Sequence, residues 1–206
     1  ELSYIREEGG LRTGAGTKLR NVREYCSRGA EYRALQEAIS LLGKPQIWNM
    51  GTIGGNLCNA PPSADTAPPL LVYSGKVKLI SEKGERILPL EDFFMGVNRT
   101  ALVKGEMMVE IQIDPIPEAM GSAFMKISRV GADISKISCA VAVVRRGEQC
   151  ALCRIALGAV APVPIRAKGA ESLLQGNQVS PSLVEKAGQK VAKEIRPIDD
   201  IRSTAA

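Results

Sequence analysis

The 206-residue chain contains no histidine. An imidazole base, a Ser-His-Asp or Cys-His arrangement and a histidine-held metal or haem are thereby excluded. Aromatic residues are scarce, with one tryptophan, four tyrosines and three phenylalanines, which is too few for a platform that stacks nucleic-acid bases. The net charge of +5 is dispersed, its longest basic run being Arg145-Arg146, so no basic stripe marks a nucleic-acid surface. No apolar run approaches the roughly 18 residues that cross a bilayer. The opening ELSYIREEGG lacks the basic and apolar regions of an export signal. Five cysteines, Cys26, Cys58, Cys139, Cys150 and Cys153, are odd in number and irregular in spacing, unlike a secreted disulfide framework. These absences point to a soluble, intracellular protein of the cytoplasm.

What is present, 45% hydrophobic and 24% charged residues, suffices for one sizeable core or two small ones. GLRTGAGTKL, residues 10–19, reads as a short strand. From Arg28 to Leu42 the apolar positions Ala30, Ala34, Leu35, Ala38, Leu41 and Leu42 recur at helical spacing, and Gly43 with Lys44-Pro45 stops that helix. Residues 44–69, with Pro45, Pro61, Pro62, Pro68, Pro69 and three glycines, read as ordered loop. Strands are expected at 76–80, 86–90 and 107–113, and Asp114-Pro115-Ile116-Pro117 is the best domain boundary. Beyond it, 122–128, 137–145 and 150–160 read as a three-stranded antiparallel sheet. Two helices follow, about 167–175 and one capped by Ser180 with Pro181 at its first position. The last residues, 197–204, resemble a cap leading into a further helix, and both ends of the chain read as cut. The fold class is α+β.

Neither phosphate-loop pattern, G-x-x-x-x-G-K-[ST] or G-x-G-x-x-G, fits any register. Thr52-Ile53-Gly54-Gly55-Asn56 offers two adjacent glycines that could turn successive N–H groups into an anion-binding nest, or form an ordinary tight turn, which spacing alone favours. Asp65, in a proline-stiffened loop, could accept a hydrogen bond from a ligand or cap the segment from Thr66 to Tyr73. On the strand SAFMKIS, Lys126 shares a face with Phe124 and Ser128, opposite Ala123, Met125 and Ile127, and reads as a polar-facing lysine, solvated or meeting a ligand across a cleft. Cys150 and Cys153 match C-x-x-C, but on a strand positions three apart face opposite ways, so they read as buried strand cysteines with no shared metal. Trp48 reads as a core or cleft anchor.

PQIWNMGTIGGNLCNA followed by DTAPPLL resembles the second flavin-binding motif of the FAD (medium) subunits of molybdenum hydroxylases, the xanthine dehydrogenase and carbon monoxide dehydrogenase family. GLRTGAGTKL, LEDFF, LVKGE with MMVEIQI, and SAFMKISR match further landmarks in order, so the resemblance covers essentially the whole chain. It implies that residues 1–116 are the later part of a FAD-binding domain of the flavin dehydrogenase type and that 118–206 form a small C-terminal α+β domain. Backbone N–H groups of Thr52, Ile53, Gly54, Gly55 and Asn56 would hold the FAD pyrophosphate, Asp65 would anchor a polar part of the cofactor, Met108 would give an apolar wall, and Lys126 would reach the flavin from the C-terminal domain. No side chain is implied as a catalytic acid or base. The resemblance further implies a molybdopterin-binding large subunit and an iron–sulfur small subunit carrying [2Fe-2S] clusters as partners, and NAD or another electron acceptor. The family's first glycine-rich FAD loop precedes the region matched by GLRTGAGTKL, so the chain taken alone is expected to bind FAD weakly and to be inactive. A stand-alone flavin oxidase or reductase and a non-catalytic assembly module of the same fold are the alternative readings.

Overall fold

The computed structural model describes residues 1–117, 119–199 and 204. Strands β1 (Ile5–Glu7) and β2 (Leu11–Gly14) open the chain. Five short helices follow, α1 (Leu19–Cys26), α2 (Arg33–Leu41), α3 (Pro45–Met50), α4 (Ile53–Asn59) and α5 (Ala67–Val72). Then come the hairpin β3 (Lys76–Ser81) and β4 (Gly84–Pro89), the small ribbon β5 (Phe94–Gly96) and β6 (Arg99–Thr100), and β7 (Met107–Ile113). The second half holds β8 (Met120–Ile127), β9 (Ile137–Arg146), β10 (Gln149–Gly158), β11 (Ile165–Arg166), α6 (Lys168–Leu174) and α7 (Pro181–Val191).

Two antiparallel sheets result, one in the order β1-β2-β7-β3-β4 and the other β11-β10-β9-β8. The α+β class is the one expected, with the two-residue β11 adding a fourth strand to the second sheet. Helix α4 packs on β7 of the first sheet, whereas α2 and α5 pack on β8, β9 and β10 of the second. One continuous core therefore joins the two halves, running from Leu11, Leu79, Phe93 and Ile111 through Leu35, Ile53 and Leu70 to Phe124, Ala140 and Ala142. Burying each of the large side chains stabilises by about 1.5–3 kcal/mol. A second core lies under α6 and α7, where Leu174 and Ala187 meet Ile155 and Leu157, and the expected spacing of Leu183, Val191 and Ile195 supplies its rim.

Four expectations are corrected. Residues 44–69 are loop only in part, at 60–66 and the short joints between helices, because proline needs no N–H partner in the first turn of a helix, and α3 and α5 place their prolines there. The helix expected from Arg28 begins at Arg33, and α1 precedes it with only Leu19, Val22 and Cys26 buried, too thin a stripe to read among its charges. The alternation along β8 is right but its sense is reversed: Phe124 and Lys126 face the shared core, while Met125 and Ile127 are 75% and 63% exposed. Finally, a β-bulge between Cys150 and Leu152 shifts the register against β9, so Cys150 and Cys153 share the second core instead of facing opposite ways. Burial pushes the Cys153 thiol up to about 12, with Cys150 beside it adding to the effect, so this pair is no ready nucleophile. Of the helix anticipated by residues 197–204, positions 200–203 lie outside the described residues.

Two connections fix the segment that carries Asp65. The Ala159 N–H donates to the Pro62 carbonyl at 2.7 Å, and the Asn98 N–H to the Ala60 carbonyl at 2.9 Å. Ala159 holds φ +64, a left-handed conformation that costs an alanine about 1–2 kcal/mol and a glycine little. Ala159→Gly is therefore expected to raise the thermal midpoint slightly, by the part of this strain that exceeds glycine's own entropy cost. A lower midpoint would show that the methyl group is held by packing instead.

Candidate functional site

Thr52 adopts extended backbone, and its hydroxyl accepts the Gly55 N–H at 3.0 Å, which starts α4. The glycines thus lie in a helical turn with no positive φ, and the concave nest is replaced by a helix N-terminus. Every N–H of that turn already has an acceptor within the chain. Ile53 donates to Thr17 O at 3.0 Å, Gly54 to Ala15 O at 2.9 Å and Asn56 to Thr52 O at 3.0 Å. The glycine at 54 is needed for contact, since a Cβ there would lie 2.6 Å from the Ala15 Cβ and 2.7 Å from its carbonyl. Ile53 points into the shared core. What the start of α4 leaves for a ligand is the Thr52 N–H, the Thr52 hydroxyl hydrogen and the Asn56 side-chain amide, none of which is donated to an acceptor among the described residues.

From this turn the network passes to Asp65. The Asn56 Oδ1 accepts the Thr66 hydroxyl at 2.6 Å, tying α4 to the N-cap residue of α5, and Asp65 immediately precedes it. Its Oδ2 receives Lys126 Nζ at 2.7 Å, and its Oδ1 receives the Ser135 hydroxyl. The side chains of Lys126 and Asp65 are only 3% and 6% exposed, and Lys126 also donates to the Leu41 carbonyl at the end of α2 at 3.1 Å. The helix-capping alternative for Asp65 is not used, as its carboxylate accepts from the second half of the chain, not from α5 N–H groups.

The hydrogen-bond capacity of this pair is not exhausted. A carboxylate offers about four lone-pair sites and an ammonium three protons. Two of each are taken among the described residues, leaving acceptor positions on Asp65 and one donor on Lys126, side by side in a buried corner. Nearby on β9, Ser138, paired with Lys126 across the ladder and 1% exposed, has a buried hydroxyl without a partner among the described residues. A corner with one anionic acceptor, one cationic donor and an unmet hydroxyl suits a neutral polar group carrying both N–H and C=O.

Met108, on β7, is 3% exposed and lies in the shared core behind α4, outside the hydrogen-bonded cluster. Trp48 is half-buried against the core, donates its ring N–H to the Leu42 carbonyl and stacks under Arg23, whose guanidinium carbon is 4.9 Å from the ring centroid. The cluster thus brings together Asp65 and Lys126, 61 residues apart, while Asn56 bonds Thr66, the chain neighbour of Asp65, and Thr52 joins only through the first turn of α4. Sequence reasoning passed over Ser135, Thr66 and Ser138, single hydroxyls in ordinary contexts whose roles exist only once the strands are paired. Among the described residues no group of three or more acidic or cysteine side chains could hold a metal, and no helix is long and apolar enough to cross a membrane.

Comparisons with known proteins bear on both halves. Residues 1–116 match the family model for the FAD binding domain in molybdopterin dehydrogenase, and residues 122–206 that for the CO dehydrogenase flavoprotein C-terminal domain. The chain is 33% identical over 202 residues to the xanthine dehydrogenase FAD-binding subunit of Escherichia coli O157:H7, covering 97% of this chain and 69% of that one. It is 32% identical over 206 residues to the carbon monoxide dehydrogenase medium chain of Hydrogenophaga pseudoflava, covering all of this chain and 72% of the relative. The fold superposes on the solved carbon monoxide dehydrogenase of that organism, in a form lacking the Mo-pyranopterin moiety, with a TM-score of 0.95 at 32% identity over 99% of this chain and 71% of that one. Quinoline 2-oxidoreductase from Pseudomonas putida 86 gives a TM-score of 0.90 at 26% identity, over 99% and 71% of the two chains. Both family models and these relatives agree, and the chain belongs to the FAD-binding subunit family of the molybdenum hydroxylases, that of the xanthine and carbon monoxide dehydrogenases.

Proposed function

We propose that this chain is the flavin-carrying electron-transfer part of a molybdopterin-dependent dehydrogenase or hydroxylase, receiving electrons from iron–sulfur clusters and passing them to NAD or another acceptor. Molybdenum cofactor and [2Fe-2S] clusters belong, in this reading, to a large and a small partner subunit, and the assembly works in the cytoplasm. Bound FAD supplies the electron-accepting and electron-donating chemistry, and the protein supplies binding, orientation and electrostatics.

The observation that carries the reading is the Asp65–Lys126 pair, buried where the two halves meet and still holding free acceptor and donor positions. Asp65 accepts from a polar N–H or O–H of the cofactor, and Lys126 donates its remaining proton to a cofactor oxygen. Thr52 and Asn56 contribute side-chain donors at the start of α4 toward the negatively charged pyrophosphate. The backbone of Ile53, Gly54 and Gly55 shapes this end instead of donating to it, as its N–H groups are engaged. Met108 and the core around it form the dry apolar wall behind the site. The two domains of the reading, 1–116 and 118–206, share one core, so the site is completed only when they dock.

The reading is tested by purifying the native assembly and assaying flavin, iron and molybdenum together. Flavin that copurifies with this chain, alongside iron and molybdenum on other chains, is the expected result. An assembly that contains the chain and both metals but no flavin would overturn it and favour a non-catalytic assembly role.

A further inference from the structure

Asp65 comes from the first half of the chain, yet both of its carboxylate oxygens are held by the second half, Oδ2 by Lys126 of β8 and Oδ1 by Ser135 of the segment between β8 and β9. A single hydrogen bond to one oxygen leaves a carboxylate free to turn about its last torsion, which is broad and roughly two-fold. A second donor on the other oxygen fixes the plane. Ser135 is itself held: it is 3% exposed, and its segment is closed by the Lys136 N–H donating to the Ile127 carbonyl at 2.8 Å and braced by the Asp133 N–H on the Val130 carbonyl at 3.0 Å. The ladder pairing Ile127 with Ile137 then sets where the hydroxyl points.

We propose that Ser135 is a positioning residue for the flavin, its hydroxyl aiming the free lone pairs of Asp65 at the cofactor. This rests on the flavin reading above and adds a residue to it. Ser135 does not touch the flavin in this account and acts only through Asp65.

The test uses the full-length protein in its assembly, with Ser135→Ala, Ser135→Thr, Asp65→Ala and the Ser135→Ala/Asp65→Ala double variant, and reads the FAD dissociation constant and the visible flavin spectrum. Losing one hydrogen bond to a charged group is expected to weaken FAD binding about 10-fold in Ser135→Ala and to alter the flavin bands, while Ser135→Thr, which keeps the hydroxyl, stays within about two-fold of wild type. In the Asp65→Ala background, removing the Ser135 hydroxyl is expected to add less than about two-fold, because the acceptor that it orients is gone. A merely structural serine would lower the melting temperature and weaken binding equally in both backgrounds. That result, or wild-type binding and spectrum in Ser135→Ala, overturns the inference alone. A wild-type protein that binds no flavin overturns the underlying reading as well.

Discussion

Lys126→Met is expected to destabilise the fold by about 3–5 kcal/mol, because it leaves the Asp65 carboxylate buried without its cation. The side chains are 3% and 6% exposed and the contact is 2.7 Å, so water cannot take over the lost interaction. The loss is also distributed, since Lys126 joins β8 to the Leu41 carbonyl at the end of α2 and to the Asp65 segment in one contact. Asp65→Asn together with Lys126→Met removes both charges while keeping volume and the acceptor for Ser135. Replacing a buried pair by neutral groups of similar shape is often nearly neutral, so the double variant should recover most of the loss. Urea midpoints at unchanged slope measure both effects. Additive losses would mean that the two residues are stabilised independently.

Gly54→Ala and Gly55→Ala, one position apart, are expected to separate sharply. A Cβ at 54 would come within 2.6–2.9 Å of the Ala15 side chain and backbone, and the Gly54 N–H bond to Ala15 O holds α4 too close for it to withdraw. Overpacking of this kind costs about 1–3 kcal/mol, here at the upper end because backbone must move. At 55 the new Cβ meets only the Thr52 hydroxyl at 2.8 Å, which can rotate away. The helix-propensity gain of up to about 1 kcal/mol then offsets a weakened cap of similar size, and stability stays within about 1 kcal/mol of wild type. Equal losses at both positions would show that the turn, not the contact with Ala15, requires the glycines.

This pair of glycines also shows where sequence reading stops. TIGGN was legible as a motif, but its helix is seven residues long and poor in helix formers, so no periodicity or propensity announces it. It forms because Thr17 and Ala15 accept its first N–H groups, a tertiary contact. The longer strands of both sheets were legible because apolar alternation repeats over several residues, the short β1 and β11 were not, and α7 was because Ser180, Pro181 and a stripe at four-residue spacing coincide. On β8 the alternation gave the right partition but the wrong sense. Ala123, Met125 and Ile127 look like the inward set, and only the pairing of Lys126 with Asp65 makes the other face the buried one. The C-x-x-C spacing misled for a related reason, because a bulge adds a residue without leaving a mark in composition. Asp65, Lys126, Thr52 and Asn56 stood out as candidates by residue type and setting and took their flavin roles from the resemblance, whereas Ser135 had no signal of its own.

The most direct test of the central claim, that flavin binding depends on the charged pair of Asp65 and Lys126, is the flavin content of the Asp65→Asn/Lys126→Met double variant purified in its assembly. The account expects a folded, assembled chain with less than about a tenth of the wild-type FAD, since charge-assisted bonds from both partners are gone. A double variant that folds, assembles and retains wild-type FAD would contradict it.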